Sequence, residues 1–174
     1  YHRYVFLQIV DLGSKDPYRQ LEVIRKAGEQ LTGVLNKIKS TSVCIIADVQ
    51  EDQAAALLEG MVLGNYQFLK YKSKSEENTL HKVNIISRQL SNGKISELTT
   101  VAEAVYLARD LVNEPVCSLN ASDLAHAFRS MGKKAGFRVR IFDKSRIKSM
   151  KMGGLLAVNK GSIDPPTFTV MEWK

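Results

Sequence analysis

Thr41-Ser42-Val43-Cys44-Ile45-Ile46-Ala47-Asp48 is the stretch that decides the fold class. Its centre, Val43 to Ala47, is an uninterrupted apolar run of strand length, too short for a helix and bounded by Ser and Asp. Upstream, Asp16-Pro17 supplies a capping residue followed by proline at the first helical position. Beyond it Leu21, Ile24, Gly28, Leu31, Leu35 and Ile38 recur at steps of three and four, with Arg25, Lys26, Glu29 and Lys37 on the other side. Val5 to Val10 reads as a strand before that helix. Downstream, a second helix is expected from Glu51 to about Leu69, apolar nearly all round, and Val83-Asn84-Ile85-Ile86 as the next strand. Gly60 and Gly64, four apart on one face of the second helix, point to the close approach of another backbone.

Ser87 to Lys94, with Ser91-Asn92-Gly93 inside it, reads as a linker, and the pattern restarts after it. Thr100-x-x-Glu103 has the form of a capping box, followed by an apolar stripe of Val101, Val105, Ala108, Leu111 and Val112 that Pro115 stops. Asn120 with Asp123 caps a further helix with Leu124, Phe128, Met131 and Ala135 facing inward, closed by Gly136. A strand over Phe137–Phe142, a short helix around Ile147, a strand at Leu155–Val158 and a last strand at Thr167–Trp173 follow. Strands alternating with helices predict an α/β architecture with mostly parallel sheets. The domain reading is residues 1–90, a linker at 91–96, and residues 97–174.

With 44% hydrophobic and 25% charged residues, the 174-residue chain has ordinary globular composition, which argues against disorder. No apolar run reaches the ~18 residues of a membrane span, so no membrane partner is expected. Tyr1 to Phe6 lacks an initiator Met, and Phe168 to Lys174 stops within a strand-like run, so the natural chain is expected to continue past both ends. Cys44 and Cys117 show neither metal-site spacing nor a disulfide framework and suit a reducing compartment. The formal charge of +7 permits nucleic-acid binding. The basic residues nevertheless fall in short groups on polar faces, helix ends and loops, so a solvated surface is expected and no specific nucleic acid.

The three histidines, His2, His81 and His126, are scattered, and no His-Glu-x-x-His helix motif occurs. Gly153-Gly154 through Lys160-Gly161-Ser162 lacks the order and spacing of a phosphate-binding loop. No catalytic, cofactor-binding or metal-ligating residue is assigned within the chain. Arg109 and Asp110, adjacent on a helix, point some 100° apart and should contact different neighbours. Gly153 and Gly154 would let a strand begin where side chains obstruct.

Leu107-Ala108-Arg109-Asp110-Leu111-Val112-Asn113-Glu114-Pro115, Met152-Gly153-Gly154-Leu155-Leu156-Ala157-Val158-Asn159-Lys160-Gly161-Ser162 and Pro165-Pro166 resemble the start of the catalytic domain in the leucyl aminopeptidases, the cytosol aminopeptidase family. Glu59-Gly60, Leu63-Gly64-Asn65-Tyr66-Gln67-Phe68 and Tyr71-Lys72 resemble a stretch of that family's N-terminal domain. The resemblance implies a macro-like N-terminal α/β domain, present in part, joined to the first βα units of a mixed-sheet catalytic domain. It implies a cytoplasmic hydrolase that removes N-terminal amino acids from peptides, using two divalent ions, zinc or manganese, and an activated water. It also implies a homo-oligomer, a hexamer in relatives.

The family's ligands lie in a Gly-Lys-Gly-x-Thr-Phe-Asp-x-Gly-Gly stretch and an Asn-Thr-Asp-Ala-Glu-Gly-Arg stretch, and neither occurs here. The flanks of Lys160 match the upstream motif, so it is not the family's metal-binding lysine. The expectation is therefore that this piece alone binds no metal and is inactive. Two alternatives compete: a non-enzymatic α/β binding module for nucleic acid or a nucleotide, and a degenerate family member serving as an assembly subunit.

Overall fold

A computed structural model describes residues 4–6, 10, 13 and 15–174, and the chain divides into two compact units, Tyr1–Arg109 and Asp110–Lys174. The strand expected over Val5–Val10 falls largely outside the described residues. Among those described, no helix is long and apolar enough to cross a membrane.

In the first unit, α1 (Pro17–Lys37) starts where expected: the Asp16 side chain accepts a hydrogen bond from Tyr18 N at 2.9 Å, and Pro17 occupies the first turn. It leads to β1 (Ser42–Ile46), α2 (Glu51–Gly64) and β2 (Lys82–Ile86). The two strands pair in parallel, Val43 opposite Val83 and Ile45 opposite Ile85. Leu35, Met61 and Leu80 form the buried core, with Leu31, Val43, Ile45 and Val83 packed against it. The two-residue repeat of a strand sends Cys44, Ile46 and Ile86 to the opposite face, where they are exposed. A strand apolar on both faces is the pattern of a parallel sheet covered on both sides; among the described residues only one side carries helices.

Three glycines set the helix spacing. A Cβ on Gly60 would lie 2.0 Å from Arg25 O, one on Gly28 would lie 2.3 Å from Leu57 O, and one on Gly64 would lie 3.1 Å from Glu29 Cα. The Thr32 hydroxyl donates to Met61 O at 3.2 Å and Asn36 pairs with Asn65, so partner positions rise together on α1 and α2. The two helices therefore run in the same direction, as successive helices of parallel βα units do. The expected backbone approach at Gly60 and Gly64 is found.

α2 stops at Gly64, five residues before the expected Leu69. The reason is a side-chain network at its end. Asn36 Oδ1 accepts from Thr79 N (2.9 Å) and Leu80 N (3.0 Å), Asn36 Nδ2 donates to Asn65 Oδ1 (2.9 Å), and Asn65 Nδ2 donates to Leu80 O (3.0 Å). These bonds take up the polar backbone of the segment entering β2, which an extended α2 would displace.

α3 (Asn92–Asn113) departs from the sequence reading at its start. Residues 92–96, read as linker, form its first turns, and Thr100 lies inside the helix, its hydroxyl donating to Ser96 O at 2.9 Å instead of capping. The boundary between the compact units falls at Arg109/Asp110. Ser91 explains the early start: its Oγ accepts from Lys94 N at 3.2 Å, so it supplies the capping oxygen nine residues before Thr100. The buried stripe is rotated from the expected one. Ala102 is buried and Val105, Tyr106 and Arg109 half-buried, while Val101 and Ala108 are exposed.

In the second unit, α4 (Ala121–Ala135) has the expected capping box between Asn120 and Asp123 and ends at Gly136, whose φ of 81° is left-handed. β3 (Arg138–Phe142), α5 (Lys144–Ser149), α6 (Gly153–Val158), a 3-10 turn (Asn159–Gly161) and β4 (Phe168–Glu172) follow. β3 and β4 pair antiparallel, Arg138 opposite Glu172 and Phe142 opposite Phe168, so the expectation of mostly parallel sheets fails in this unit. Leu155–Val158 is helical and not a strand. A short apolar run cannot be assigned by periodicity alone, and Leu-Leu-Ala favours helix. Nothing lies within 4 Å of a Cβ on Gly153 or Gly154, so the obstruction expected there is absent.

Candidate functional site

The residue types able to carry chemistry are spread over the surface. His81 precedes β2 and His126 lies on α4, both exposed; His2 lies outside the described residues. Cys44 on β1 and Cys117, in the segment after α3, are exposed free thiols. Among the described residues, no three His, Cys, Asp or Glu side chains come together where a metal could be held. The acidic side chains that make defined contacts serve local structure. Asp16, Asp123 and Asp143 cap helices, and Glu59 accepts from Arg25 Nε at 2.6 Å across the α1–α2 packing. Lys160 sits in the 3-10 turn that follows α6.

The best organised polar site of the first unit is the end of α2, whose last carbonyls have no partner within the helix. The Tyr106 hydroxyl donates to Val62 O, and Arg109 Nη1 donates to Leu63 O at 2.8 Å while its guanidinium lies 5.3 Å from the Tyr66 ring centre. Tyr66 and Tyr106 meet edge to face at 5.0 Å. Burial pushes the Tyr106 hydroxyl above its ordinary pKa, against the pull of the Arg109 charge. A cation on helix carbonyls and a tyrosine kept protonated form a structural clamp. Arg109 thus finds partners other than Asp110, as its helical position required.

Two cavities accompany these units. Ala55, Leu63, Leu98 and Val101, with Glu59, Lys94 and Glu97, line about 180 Å³ between α2 and α3. A wider groove of about 460 Å³ in the second unit is bounded by Gly154, Leu155, Val158, Asn159, Pro166 and Thr167. The two carboxylates of the first cavity are each paired with a cation, Glu59 with Arg25 at 2.6 Å and Glu97 with Lys94 at 3.5 Å, and the residues that line the second include no ionisable side chain. The tyrosine–arginine clamp and the asparagine network went unread in the sequence. The available signal was the placement of polar residues with long reach at helix ends, Asn36 and Asn65 among them.

Residues 6–75 match the model of the cytosol aminopeptidase family, N-terminal domain, and residues 106–174 that of the cytosol aminopeptidase family, catalytic domain. Proteins named "Probable cytosol aminopeptidase" are similar over most of the chain. The one from Sulfurihydrogenibium sp. is 30% identical over 97% of this chain and 35% of its own length. The one from Clostridium perfringens is 35% identical over 87% of this chain and 33% of its own length. The chain thus spans about a third of the length of these relatives. Among solved structures, bottromycin maturation enzyme BotP in complex with Mn is 25% identical, with a TM-score of 0.76 over 88% of this chain and 33% of that one. A mutant of tomato leucine aminopeptidase, 23% identical, has a TM-score of 0.80 over 91% of this chain and 33% of that one, a likeness of fold.

Proposed function

Because the chain belongs to the cytosol aminopeptidase family, we propose that the protein it forms part of is a metal-dependent leucyl aminopeptidase, which hydrolyses N-terminal amino acids from peptides. The observation that carries this reading is the match to both domains of one family, in chain order, supported by relatives similar over nearly the whole chain. Two divalent ions, manganese or zinc, would supply Lewis acidity and an activated water. The described residues do not fit that group: they gather no ligand set, and the family's two ligand stretches do not occur in the sequence. In this reading residues 1–174 supply framework, and the catalytic residues belong to the rest of the protein. The reading extends to a homo-oligomer, a hexamer by the family resemblance, in the cytoplasm. Residues 1–90 are assigned to the N-terminal domain and 97–174 to the catalytic domain, with residues 91–96 joining them; Ser91 caps α3 and residues 92–96 form its first turns.

The test compares this chain with the product of the whole reading frame. Each is incubated with manganese or zinc and a leucine anilide. The expected outcome is metal-dependent anilide release by the longer protein and none by residues 1–174. Release by the 174-residue chain would place the site here after all, and a silent longer protein would favour a subunit that kept the fold without the chemistry.

A further inference from the structure

α2 and α3 are fastened to each other at two places and loosely filled between them. At their N-terminal ends, Glu51 Oε1 accepts from Ser91 N at 3.0 Å and from Ser91 Oγ at 2.7 Å. At the C-terminal end of α2, Tyr106 and Arg109 donate to the carbonyls of Val62 and Leu63. Between these contacts Ala55, Glu59 and Leu63 follow at steps of four on α2 and so share one face, a stripe about 12 Å long at ~1.5 Å per residue. Leu98 and Ala102 face it from α3. The most buried of these residues, Ala55 and Ala102, end in a methyl group, which leaves the cavity of about 180 Å³. An apolar cavity of ~150 Å³ is known to take up benzene, so this one has room for a ligand of about six non-hydrogen atoms.

The charges around this cavity do not balance. Arg25 serves two carboxylates, Glu59 at 2.6 Å and Glu22 at 3.7 Å. Lys94 also serves two, Glu97 at 3.5 Å and Asp52 at 3.8 Å. Four acids over two bases leave a net −2, in a chain whose total is +7. Glu59 and Glu97 line the cavity itself, and each uses Oε2 in its ion pair, which leaves Oε1 to accept from another donor. Water shields the Glu59 charge less, because its side chain is 31% exposed against 65% for Glu97.

We propose that the cavity between α2 and α3 binds a small free amine, a primary ammonium carrying an aliphatic tail of about four to six carbons. The tail lies on the apolar wall of Leu63, Leu98 and Val101, and the ammonium donates to the carboxylates of Glu59 and Glu97. An aliphatic acid or a zwitterion fits less well, because its carboxylate would enter a region already net negative. A divalent metal is also the poorer fit, since among the described residues no three ligating side chains come together. The proposal stands independently of the aminopeptidase reading.

The test titrates the isotope-labelled chain with isoamylamine and follows the backbone amide resonances. Expected are saturable shifts at Ala55, Leu98, Val101 and Ala102, with a dissociation constant on the order of 1 mM, as suits so few atoms. Isoamyl alcohol, the neutral analogue, should bind at least about threefold more weakly, L-leucine more weakly still, and isovalerate not measurably. Glu59→Gln/Glu97→Gln keeps the acceptor oxygens and removes both charges; it should weaken the amine about fivefold or more and leave the alcohol within about twofold. Lys94→Met should tighten the amine. Val101→Trp, a filling change at a position 49% exposed, should abolish both. Glu103→Gln, an exposed acid of α3 outside the cavity lining, should change binding less than about twofold. Circular dichroism checks folding, and Glu97→Gln alone, at an exposed side chain, decides if the other variants unfold, with about a twofold loss expected. The proposal is overturned by no saturable shift, by equal binding of amine and alcohol, by tighter binding of leucine than of the amine, or by full binding to the Val101→Trp variant. Tighter binding of Nα-acetyl-lysine amide, which presents the same group on a polypeptide backbone, would overturn the assignment to a free amine.

Discussion

Gly60 of α2 lies against the backbone of Arg25 of α1 so closely that a methyl group on its Cα would sit 2.0 Å from the Arg25 carbonyl oxygen. The contact is backbone on backbone, so no side-chain rotation can relieve it. Gly60→Ala should force the helices apart and cost about 2–3 kcal/mol, the upper range for overpacking, measured by urea unfolding. Gly154→Ala is the control. Its Cβ would meet open space within a helix, so that change should be neutral or stabilise by up to about 1 kcal/mol. Equal effects at the two sites would refute the close-approach account.

Asn36 holds the entry to β2 through two hydrogen bonds, from Thr79 N and Leu80 N, and donates a third to Asn65. Asn36→Ala leaves Thr79 N and Leu80 N without their acceptor and should destabilise by about 2–3 kcal/mol. Asn36→Asp keeps that acceptor and loses only the donor to Asn65, so it should cost less. Amide exchange at Thr79 and Leu80 distinguishes the two, speeding up in the alanine variant alone.

Acid should loosen both units through two hydrogen-bonded carboxylates, Asp143 at the start of α5 and Glu51, which holds Ser91. Hydrogen bonds from Arg146 N and Ser145 Oγ hold the Asp143 carboxyl below its ordinary pKa; the Ser91 hydroxyl and amide, then the Lys94 charge, do the same for Glu51. A folded pKa below the unfolded one means stability that is full above the unfolded value and lost as pH falls through the folded one. The loss therefore begins below about pH 4. Asp143→Asn and Glu51→Gln should each flatten the acid limb of a stability–pH curve and leave its slope near neutrality unchanged. An unaltered acid limb would count against this assignment.

Limited trypsin digestion locates the flexible connection. Lys72 and Lys74 lie in an exposed, non-helical segment, whereas Lys94 belongs to the first turn of α3, within 3.8 Å of Asp52 and 3.5 Å of Glu97. Cleavage at Lys72 and Lys74 should precede cleavage at Lys94. Early cutting at Lys94 would restore a flexible linker at 91–96 in place of the helical one.

The sequence by itself determined the elements whose signals are local: the Asp16-Pro17 start of α1, the Asn120–Asp123 box and Gly136 stop of α4, and the apolar runs of β1 and β2. A cap, a stop or a buried run depends on a few consecutive residues, so its chemistry can be read in place. The family resemblance was legible for the same reason, in contiguous motifs. Tertiary structure alone decided where α2 ends, since Asn65 is claimed by Asn36 and Leu80, residues distant in sequence. It decided that Leu155–Val158 is helix and that β4 returns antiparallel, because so short an apolar run suits either state until its neighbours are placed. It also turned Tyr106 and Arg109 into a clamp on α2, for a helix carbonyl without a partner becomes a binding site only when another element brings a donor to it.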